Sequence, residues 1–264
     1  MRRRKTGRLP PIPQGTDVLP RLPRKLRKLV FRNYGQRDRF RCYDRLGLRL
    51  LLNYANYVDR QLIIHEPYEA AQLDHLLHAA DSQPFDLFID AGANLGLYAL
   101  LMARSGRFVD ILAFEPDPRN YRQLVTNIAL NGLAADILLF ACGLSDRDGT
   151  ANFLQAHMRS TGMSRLGATA PADTRREQYT DIRVPVIRFD GHFSGTGRRV
   201  MIKIDVEGHE TEVIAGMQHL LEDNDCLIQL EVFDTGIKKV DATLADLGYR
   251  NYRSFGHDRL YRRA

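Results

Sequence analysis

The sequence has few cysteines and no long apolar run. Its three cysteines, Cys42, Cys142 and Cys226, are widely spaced and odd in number, which indicates a reducing compartment without a disulfide framework. The longest apolar run, 95–103, holds about nine residues, whereas a helix that crosses a bilayer needs roughly 18–20. The basic N-terminus is not followed by the apolar segment of a signal peptide. We therefore expect a cytoplasmic protein rather than a secreted or membrane-spanning one.

Acidic residues are scarce at the N-terminus. Residues 1–50 contain 16 Lys and Arg but only 3 Asp and Glu, so the rest of the chain, with 22 basic and 29 acidic side chains, has a net charge of −7. Residues 1–38 are also rich in proline, which predicts a basic, partly disordered arm. This arm is either a solvated tail or a segment that contacts an anionic membrane peripherally. The acidic remainder argues against a nucleic-acid partner.

Apolar periodicity divides the rest of the chain into two parts. Residues 39–84 predict an N-terminal extension of strands and a helix packed on the core, and residues 85–264 predict one large α/β domain. The elements expected in the extension are two short strands within 39–52 with a turn at Gly47, a continuation of this region at 57–64, and a helix over 69–80 with Pro67 in its first turn.

Strands and helices are predicted to alternate beyond residue 84. This alternation indicates a mostly parallel sheet with helices on both faces. The predicted strands are 85–90, 110–114, 136–141, 200–205 and 226–232, the helices are 97–103, 120–131, 210–221 and 240–247, and a hairpin over 249–261 ends the chain. Two further strands, 149–154 and 182–187, flank a polar insert at 157–180.

The stretch 85–98 predicts a strand, a glycine loop and a helix, which is the beginning of a nucleotide-binding unit. Gly92 and Gly96 would let a ligand approach the backbone closely, because a side chain there would block it. Asn94 stands where a positive φ is often needed, and asparagine tolerates that conformation. We assign Asp90, Gly92, Asn94 and Gly96 to a cofactor site.

Two carboxylates indicate which cofactor this is. Glu115 follows Gly96 by 19 residues and ends the next strand, where an acidic residue grips the two hydroxyls of a ribose. Asp90 is a partly buried carboxylate beside the loop, and a cationic group of the ligand would satisfy it. NAD-type loops favour phosphate, whereas S-adenosylmethionine has no phosphate and carries an amine and a sulfonium. Asp90 together with Gly92 and Gly96 therefore favours S-adenosylmethionine over NAD.

A second group of charged residues lies in and after the strand 200–205. Lys203 sits inside this apolar strand, where an unpaired charge is costly. Asp205 and Glu207 follow at the carboxyl end, and Glu231 interrupts the next apolar strand. We expect Lys203 to pair with Glu231 or with Asp205. Because ligands bind outside the carboxyl ends of parallel strands, this group should face the cofactor.

Four segments together resemble the FkbM family of S-adenosylmethionine-dependent methyltransferases. They are Asp90–Gly96, Phe114–Pro116, Gly143–Ser145 and Ile202–Glu210. The resemblance implies a class I methyltransferase fold, which is a Rossmann-like three-layer sandwich whose seven-stranded, mostly parallel sheet has an antiparallel edge strand. It also implies O-methylation, often of a sugar or polyketide hydroxyl, with a small-molecule, glycan or glycolipid acceptor. Ser145 joins the cofactor site on this resemblance.

The chemistry requires a base more than it requires activation of the methyl group, since the sulfonium already activates it. A neutral hydroxyl is a poor nucleophile, so a carboxylate or histidine that takes its proton would help. Asp205 is the first candidate, followed by Glu207, His209 and Glu210, and Lys203 completes the catalytic group. His209 has a convenient unperturbed pKa near 6.5, but its position also suits a helix start at the surface.

Four alternatives remain open at the level of sequence. Asp205 and Glu207 could hold a divalent metal, although no third ligand is evident and we expect no metal site. The basic arm suggests an RNA-directed methyltransferase. A non-catalytic, membrane-associated cofactor-binding protein is a third reading, which the joint presence of Lys203, Asp205 and Glu207 disfavours. An NAD-dependent oxidoreductase is disfavoured by Asp90 and Asn94.

Overall fold

The protein was analysed as a computed structural model that describes residues 40–64, 68–157, 162–167 and 178–264. The predictions for the basic arm, for Pro67 and for most of the polar insert lie outside the described residues. Contact of the arm with an anionic membrane therefore stays a prediction. Cys42 is exposed, Cys142 and Cys226 are buried, and all three are free.

The described residues form an α/β fold. The strands are β1 Phe40–Arg45, β2 Leu48–Asn53, β3 Phe85–Ala91, β4 Phe108–Phe114, β5 Leu138–Phe140, β6 Gly143–Ser145, β7 Gly149–Ala156, β8 Arg165–Leu166, β9 Tyr179–Arg188, β10 Arg199–Ile204, β11 Asp225–Glu231, β12 Tyr249–Phe255 and β13 Asp258–Arg263. The helices are α1 Tyr57–Ile63, α2 Ala70–Ser82, α3 Leu97–Ser105, α4 Pro118–Leu130, α5 Phe189–His192, α6 Glu210–Gly216, α7 Gln218–Asp223 and α8 Asp234–Asp246. None of these helices is both long and apolar enough to cross a membrane.

A seven-stranded sheet with the order β12-β13-β11-β10-β3-β4-β5 confirms the expected class I methyltransferase architecture. The position of its antiparallel strand was predicted wrongly, because β13 lies between β11 and β12 and not at the edge. After α8 the chain passes over one position and forms β12 at the edge. The short turn at Gly256 then returns β13 into the vacant position, and such a tight connection imposes the antiparallel direction.

Helices and the smaller sheets cover both faces of this central sheet. One apolar core packs the sheet against β2, α2, α3 and α4 through Leu50, Leu76, Leu100 and Leu124. The other packs it against α6, α7 and α8 through Val213, Leu221 and Leu244. The central strands β3 and β10 are buried on both faces, which explains their nearly continuous apolar sequences. The three-layer arrangement predicted from the alternation is confirmed.

Two predictions of local structure were wrong. Residues 57–63 form the helix α1 and not a strand, because Asn56 caps Val58 and the apolar Val58 and Leu62 share one helical face. The predicted helix 210–221 is divided into α6 and α7 at Met217. Gly216 ends α6, where a Cβ atom would lie 1.9 Å from the carbonyl oxygen of Ser145. The predicted extra strands exist as β7 and β9 of a four-stranded sheet.

Buried hydrogen bonds join the extension to α4. Asp59, which is fully buried, accepts hydrogen bonds from the backbone of Asn53 (2.7 Å) and from the side chain of Gln123 (2.9 Å). The side chain of Asn127 accepts a hydrogen bond from the backbone of Leu51 at 2.6 Å. These bonds hold α1 beside the carboxyl edge of the central sheet.

Candidate active site

Strand register brings the predicted charged residues to one edge of the sheet. Lys203 in β10 is level with Asp90 in β3 and with Gln229 in β11. Asp205 and Glu231 follow these positions at the carboxyl ends of β10 and β11. The two groups of residues that the sequence analysis selected separately therefore meet in space, as expected for an open α/β sheet.

The loop after β3 is a compact turn with left-handed residues. Phe114 accepts hydrogen bonds from the backbone N–H groups of Gly92 and Ala93, both at 3.0 Å. Asn94 has a φ of 52°, which confirms the expected positive φ. Its backbone N–H donates to Glu115 at 2.7 Å. The loop is thus anchored to the end of β4, beside the residue predicted to bind the ribose.

The two loop glycines serve the packing of the chain itself. A Cβ atom at Gly92, whose φ is 84°, would lie 1.9 Å from the carbonyl oxygen of Asp205. At Gly96, whose φ is 93°, it would lie 2.4 Å from a methyl group of Leu124. The sequence analysis attributed both glycines to the approach of a ligand. The missing side chains face protein atoms instead, so each glycine lets two parts of the chain come close.

Glu115 is buried at the end of β4 with both carboxyl oxygens engaged. One oxygen accepts from the backbone of Asn94 and the other from the backbone of Asp117, each at 2.7 Å. Burial raises the pKa of Glu115 to about 8, although these hydrogen bonds favour its charged form. Each oxygen retains a second lone pair, and the residue lines a cavity. It can therefore accept further hydrogen bonds from a ligand in that cavity.

Asp90 is almost completely buried and only partly satisfied. One oxygen accepts from the backbone N–H of Ala99 in α3 at 3.1 Å, and the other has no hydrogen-bond partner. Burial raises the pKa of Asp90 to about 6, and the nearby Lys203 opposes this rise. The unpaired oxygen fits a donor group of a bound cofactor. Asp90 itself is not among the residues that line the two cavities described below.

Lys203 is a buried cation among carboxylates. Its Nζ atom donates to Asp205 at 2.9 Å, which confirms one of the two expected pairings, and it lies 4.7 Å from the ring centre of Tyr98. Burial alone would lower the pKa of Lys203, but Asp205, Asp90 and Glu69 together raise it well above its usual value. Lys203 therefore stays charged and orients Asp205.

Glu231 contacts the same carboxylate from the neighbouring strand. It is hydrogen-bonded to Asp205, and burial together with the charge of Asp205 raises the pKa of Glu231 to about 9. A protonated Glu231 can donate to Asp205, so two carboxyl groups share this position without full repulsion. Glu231 contacts Asp205 while Lys203 holds it by an ion pair.

Glu207 occupies the turn after β10 in a left-handed conformation, with a φ of 55°. It forms an ion pair with Arg165 of β8 at 3.3 Å. Burial and the neighbouring Asp205 raise the pKa of Glu207 to about 8, and Arg165 opposes this rise. This ion pair connects the four-stranded sheet that contains β8 to the edge of the central sheet.

Ser145 and His209 bind one another rather than facing a cavity. The Ser145 hydroxyl and the His209 Nε2 atom are 2.9 Å apart, and burial lowers the pKa of His209. Neither residue is among those that line the two cavities. The cofactor role of Ser145 and the catalytic role of His209 stay predictions. They join β6 to the beginning of α6.

Two cavities open at this edge of the sheet. The smaller is a recess lined by the glycine loop, Glu115 and residues of the four-stranded sheet such as Gly143 and Phe153. The larger is an open cleft of about 2010 Å³. They meet at four residues that line both, which are Asn94, Gly162, Asp205 and Glu207. A group bound in one cavity can thus reach a group bound in the other beside Asp205.

The cleft is built mainly from the two ends of the described chain. Eleven of its seventeen described lining residues belong to 57–72 or to 255–258. Sequence reasoning missed two of its carboxylates, Glu69 and Asp258. Glu69 precedes a helix that carries no chemical motif, while Asp258 starts β13 directly opposite Glu231, so a register prediction for the hairpin could have found it.

No described set of three or more His, Cys, Asp or Glu side chains is arranged to hold a metal ion. Asp205 and Glu207, which the sequence analysis considered as metal ligands, instead pair with Lys203 and Arg165. These two carboxylates are thus paired with cations of the chain itself.

Comparison with known proteins places these features in one family. The family model of the methyltransferase FkbM domain matches residues 90–251, well over half of the chain. Methyltransferase sdnD from Sordaria araneosa is 28% identical over 224 residues, which cover 74% of this chain and 82% of the relative. The 31-O-demethyl-FK506 methyltransferase FkbM from Streptomyces tacrolimicus is 24% identical, with 54% of this chain and 64% of the relative covered.

A third relative comes from an archaeon. The hexuronic acid methyltransferase AglP from Haloferax volcanii is 24% identical over 146 residues, which cover 54% of each chain. The matched segment 90–251 contains the glycine loop, Glu115 and the strand with Lys203, the features on which the resemblance was based. On this evidence the chain belongs to the FkbM family of methyltransferases.

Proposed function

We propose that this protein transfers a methyl group from S-adenosylmethionine to a hydroxyl of a sugar, glycolipid or polyketide-type acceptor. The observation that carries the proposal is the meeting of two cavities at Asp205. A recess beside the glycine loop lies on one side and an open cleft on the other, and two carboxylates, Asp205 and Glu207, line both. Asp205 is held in place by the buried Lys203.

The smaller cavity suits the cofactor. Glu115 would accept hydrogen bonds from the ribose hydroxyls through its free lone pairs. The unpaired oxygen of Asp90 would accept from the amino group, directly or through a water molecule. The loop 91–96 would contact the cofactor through its backbone. When bound, S-adenosylmethionine supplies a methyl group that its sulfonium already activates.

The residues of the chain have two tasks in this scheme. The walls of the two cavities orient the acceptor hydroxyl in line with the donor methyl group, which lowers the entropic part of the barrier. Asp205 takes the proton that the hydroxyl loses, at a carboxyl oxygen that faces the junction. Lys203 orients Asp205 and remains charged throughout.

Two relatives and the residues that line the cleft support the proposed class of acceptor. The name of one relative specifies 31-O-demethyl-FK506, which supports oxygen as the methylated atom, and the name of another specifies hexuronic acid, which supports a sugar as the acceptor. The cleft is lined by carboxylates and by aromatic side chains such as Tyr57 and Phe255, which suit a polyhydroxylated molecule. The same carboxylates would repel a nucleic-acid backbone, so we propose no nucleic-acid partner.

Replacing Glu115 by glutamine is expected to weaken binding of S-adenosylmethionine about 10–100-fold, because a hydrogen bond to a charged acceptor is lost. In the wild type, affinity should rise with pH up to about 8, since Glu115 must lose its proton to accept both ribose hydroxyls. In Glu115→Gln this rise should be absent. Titration calorimetry with S-adenosylmethionine and with NAD at several pH values measures both effects.

The exposed Glu222 offers a matched control, because it lies away from both cavities and Glu222→Gln should bind like the wild type. Equal affinity of Glu115→Gln and the wild type for S-adenosylmethionine would contradict the proposed ribose contact. Tighter binding of NAD than of S-adenosylmethionine would contradict the proposed cofactor.

Methyl transfer is expected to occur at oxygen. Incubation with S-adenosylmethionine labelled with ¹³C in its methyl group, and with a panel of glycosides, glycolipids and polyketide alcohols, should give a product whose labelled carbon is bonded to oxygen. Nuclear magnetic resonance of the product identifies the bonded atom. A labelled methyl on nitrogen or carbon would contradict O-methylation, and cofactor binding without transfer to any acceptor would favour a non-catalytic role.

A further inference from the structure

The cleft that would receive the acceptor has an acidic wall. Glu69, Glu231 and Asp258 line it, in addition to Asp205 and Glu207 at the junction of the two cavities. The basic residues that line it are Arg60 and His257. This excess of carboxylates distinguishes the cleft from the smaller cavity and bears on the charge of the acceptor.

The carboxylates at the junction form ion pairs, whereas Glu69 and Asp258 in the wall form none with the described residues, although Lys203 is near enough to Glu69 to oppose the rise of its pKa. Lys203 pairs with Asp205, and Arg165 pairs with Glu207. Asp258 is buried and accepts from two amide side chains, Gln72 at 2.8 Å and Gln229 at 2.9 Å. Its charge is therefore hydrogen-bonded without being neutralised by these partners.

Glu69 carries an unsatisfied oxygen at the same wall. Its Oε2 atom is buried and has no hydrogen-bond partner. Burial raises the pKa of Glu69, and the nearby Lys203 and the hydroxyls of Tyr68 and Tyr98 oppose this rise. Its backbone is left-handed, with a φ of 47°, which is uncommon for a residue with a side chain. A strained residue that presents an unpaired buried oxygen indicates a ligand that completes it.

Glu69 and Asp258 belong to one hydrogen-bonded network. Gln72 lies one turn after Glu69 and donates to Asp258, so both acids lie beside the same face of α2. From the other side, Gln229 donates to Asp258 at 2.9 Å and to the hydroxyl of Tyr98 at 3.1 Å, and Tyr98 contacts Glu69. The two carboxylates thus form one acidic wall rather than two separate sites.

We propose that the acceptor carries a protonated amine, which binds at the wall formed by Glu69 and Asp258 while its reacting hydroxyl lies at Asp205. The inference rests on the proposed function and adds the charge of the substrate. A primary ammonium group donates three hydrogen bonds and supplies the charge that the amides cannot. An acceptor with a carboxylate at this place would add like charge to a buried acidic wall.

Three methyl glycosides that differ only at carbon 6 test this inference. They are methyl 6-amino-6-deoxyglucoside, methyl glucoside and methyl glucuronide, whose carbon 6 bears an ammonium, a hydroxyl or a carboxylate. Binding is measured by titration calorimetry with saturating S-adenosylhomocysteine present, so that the amine of the cofactor already occupies its own site. We expect the amino glycoside to bind at least about tenfold more tightly than the neutral one, and the glucuronide to bind most weakly.

Two variants test whether the preference for the amino glycoside arises at Glu69 and Asp258. Glu69→Gln and Asp258→Asn keep the size of the side chain and should each reduce the preference for the amino glycoside about tenfold or more, with the affinity for S-adenosylhomocysteine unchanged. Glu222→Gln, at an exposed position, should keep the preference. A preference that survives in both cleft variants would place the cation elsewhere and overturn the proposal.

The outcomes separate this inference from the proposed function. The inference is wrong if the amino glycoside binds no more tightly than the neutral one, because the acidic wall then does not select an amine. This holds if both glycosides bind equally and also if neither binds. The proposed function fails separately, if S-adenosylmethionine does not bind or if its labelled methyl group is never found on oxygen.

Discussion

Asp205→Asn is expected to lower methyl transfer about 10²–10⁴-fold, the contribution typical of a positioned general base. Asparagine keeps the size of the side chain and can still accept a hydrogen bond from Lys203, but it cannot take a proton. Lys203 remains surrounded by Asp90 and Glu69, so the fold should persist. Cofactor affinity should stay within a few-fold of the wild type. Single-turnover transfer to the best acceptor, together with calorimetry, separates the two effects.

The exposed Asp246 supplies a matched control, since Asp246→Asn removes the same charge at the end of α8. Glu207→Gln tests the competing candidate, because Glu207 lines both cavities as Asp205 does but is paired with Arg165. Turnover of Asp205→Asn at the wild-type rate would remove Asp205 as the base. If Glu207→Gln is instead the inactive variant, the role of the base passes to Glu207.

Gly92→Ala is expected to destabilise the protein by about 2–6 kcal/mol. Part of this cost is the left-handed backbone, which any side chain makes unfavourable. The larger part is the overlap of the new Cβ atom with the carbonyl oxygen of Asp205, only 1.9 Å away, which forces the loop and the end of β10 apart. Denaturant unfolding of the protein without ligands measures the change in the free energy of unfolding.

Gly106 provides a control for this prediction within the same chain. Its φ is 66°, but no atom outside the glycine and its two chain neighbours lies within 4 Å of where its Cβ would be. Gly106→Ala should therefore cost only the backbone term, about 1–2 kcal/mol. Equal losses of stability in the two variants would show that the contact between the loop and β10 contributes nothing.

Local patterns in the sequence were sufficient to predict several features of β3, of the glycine loop after it and of β10. The strand before Asp90 and the positive φ of Asn94 were predicted from neighbouring residues in the sequence, and Asp205 was one of the two partners predicted for Lys203. Each follows from a rule of short range, such as the tolerance of asparagine for left-handed backbone or the cost of an unpaired buried charge. The parallel sheet then brings the carboxyl ends together without further information.

Contacts between distant segments could not be predicted in this way. The contact of His209 with Ser145, 64 residues away in sequence, was not predicted. Glu69 joins the cleft only because α2 packs beside the C-terminal hairpin, as its neighbour Gln72 shows by reaching Asp258. The same hairpin places the antiparallel strand β13 between β11 and β12. This position could not be predicted, because it depends on where β12 pairs and not on the sequence of β13.

The origin of the cleft wall has an evolutionary consequence. Every described residue that lines the smaller cavity lies within 90–251, the segment that the family model covers, whereas most of the cleft lies in 57–72 and 255–258, outside it. Under the proposed function, substitutions in these flanking segments would alter the acceptor while the residues proposed to hold the methyl donor stay unchanged. The proposed acceptor site and the proposed cofactor site can therefore be changed separately. A chimaera in which 57–72 and 255–258 are exchanged with those of a relative is the natural way to redesign the acceptor.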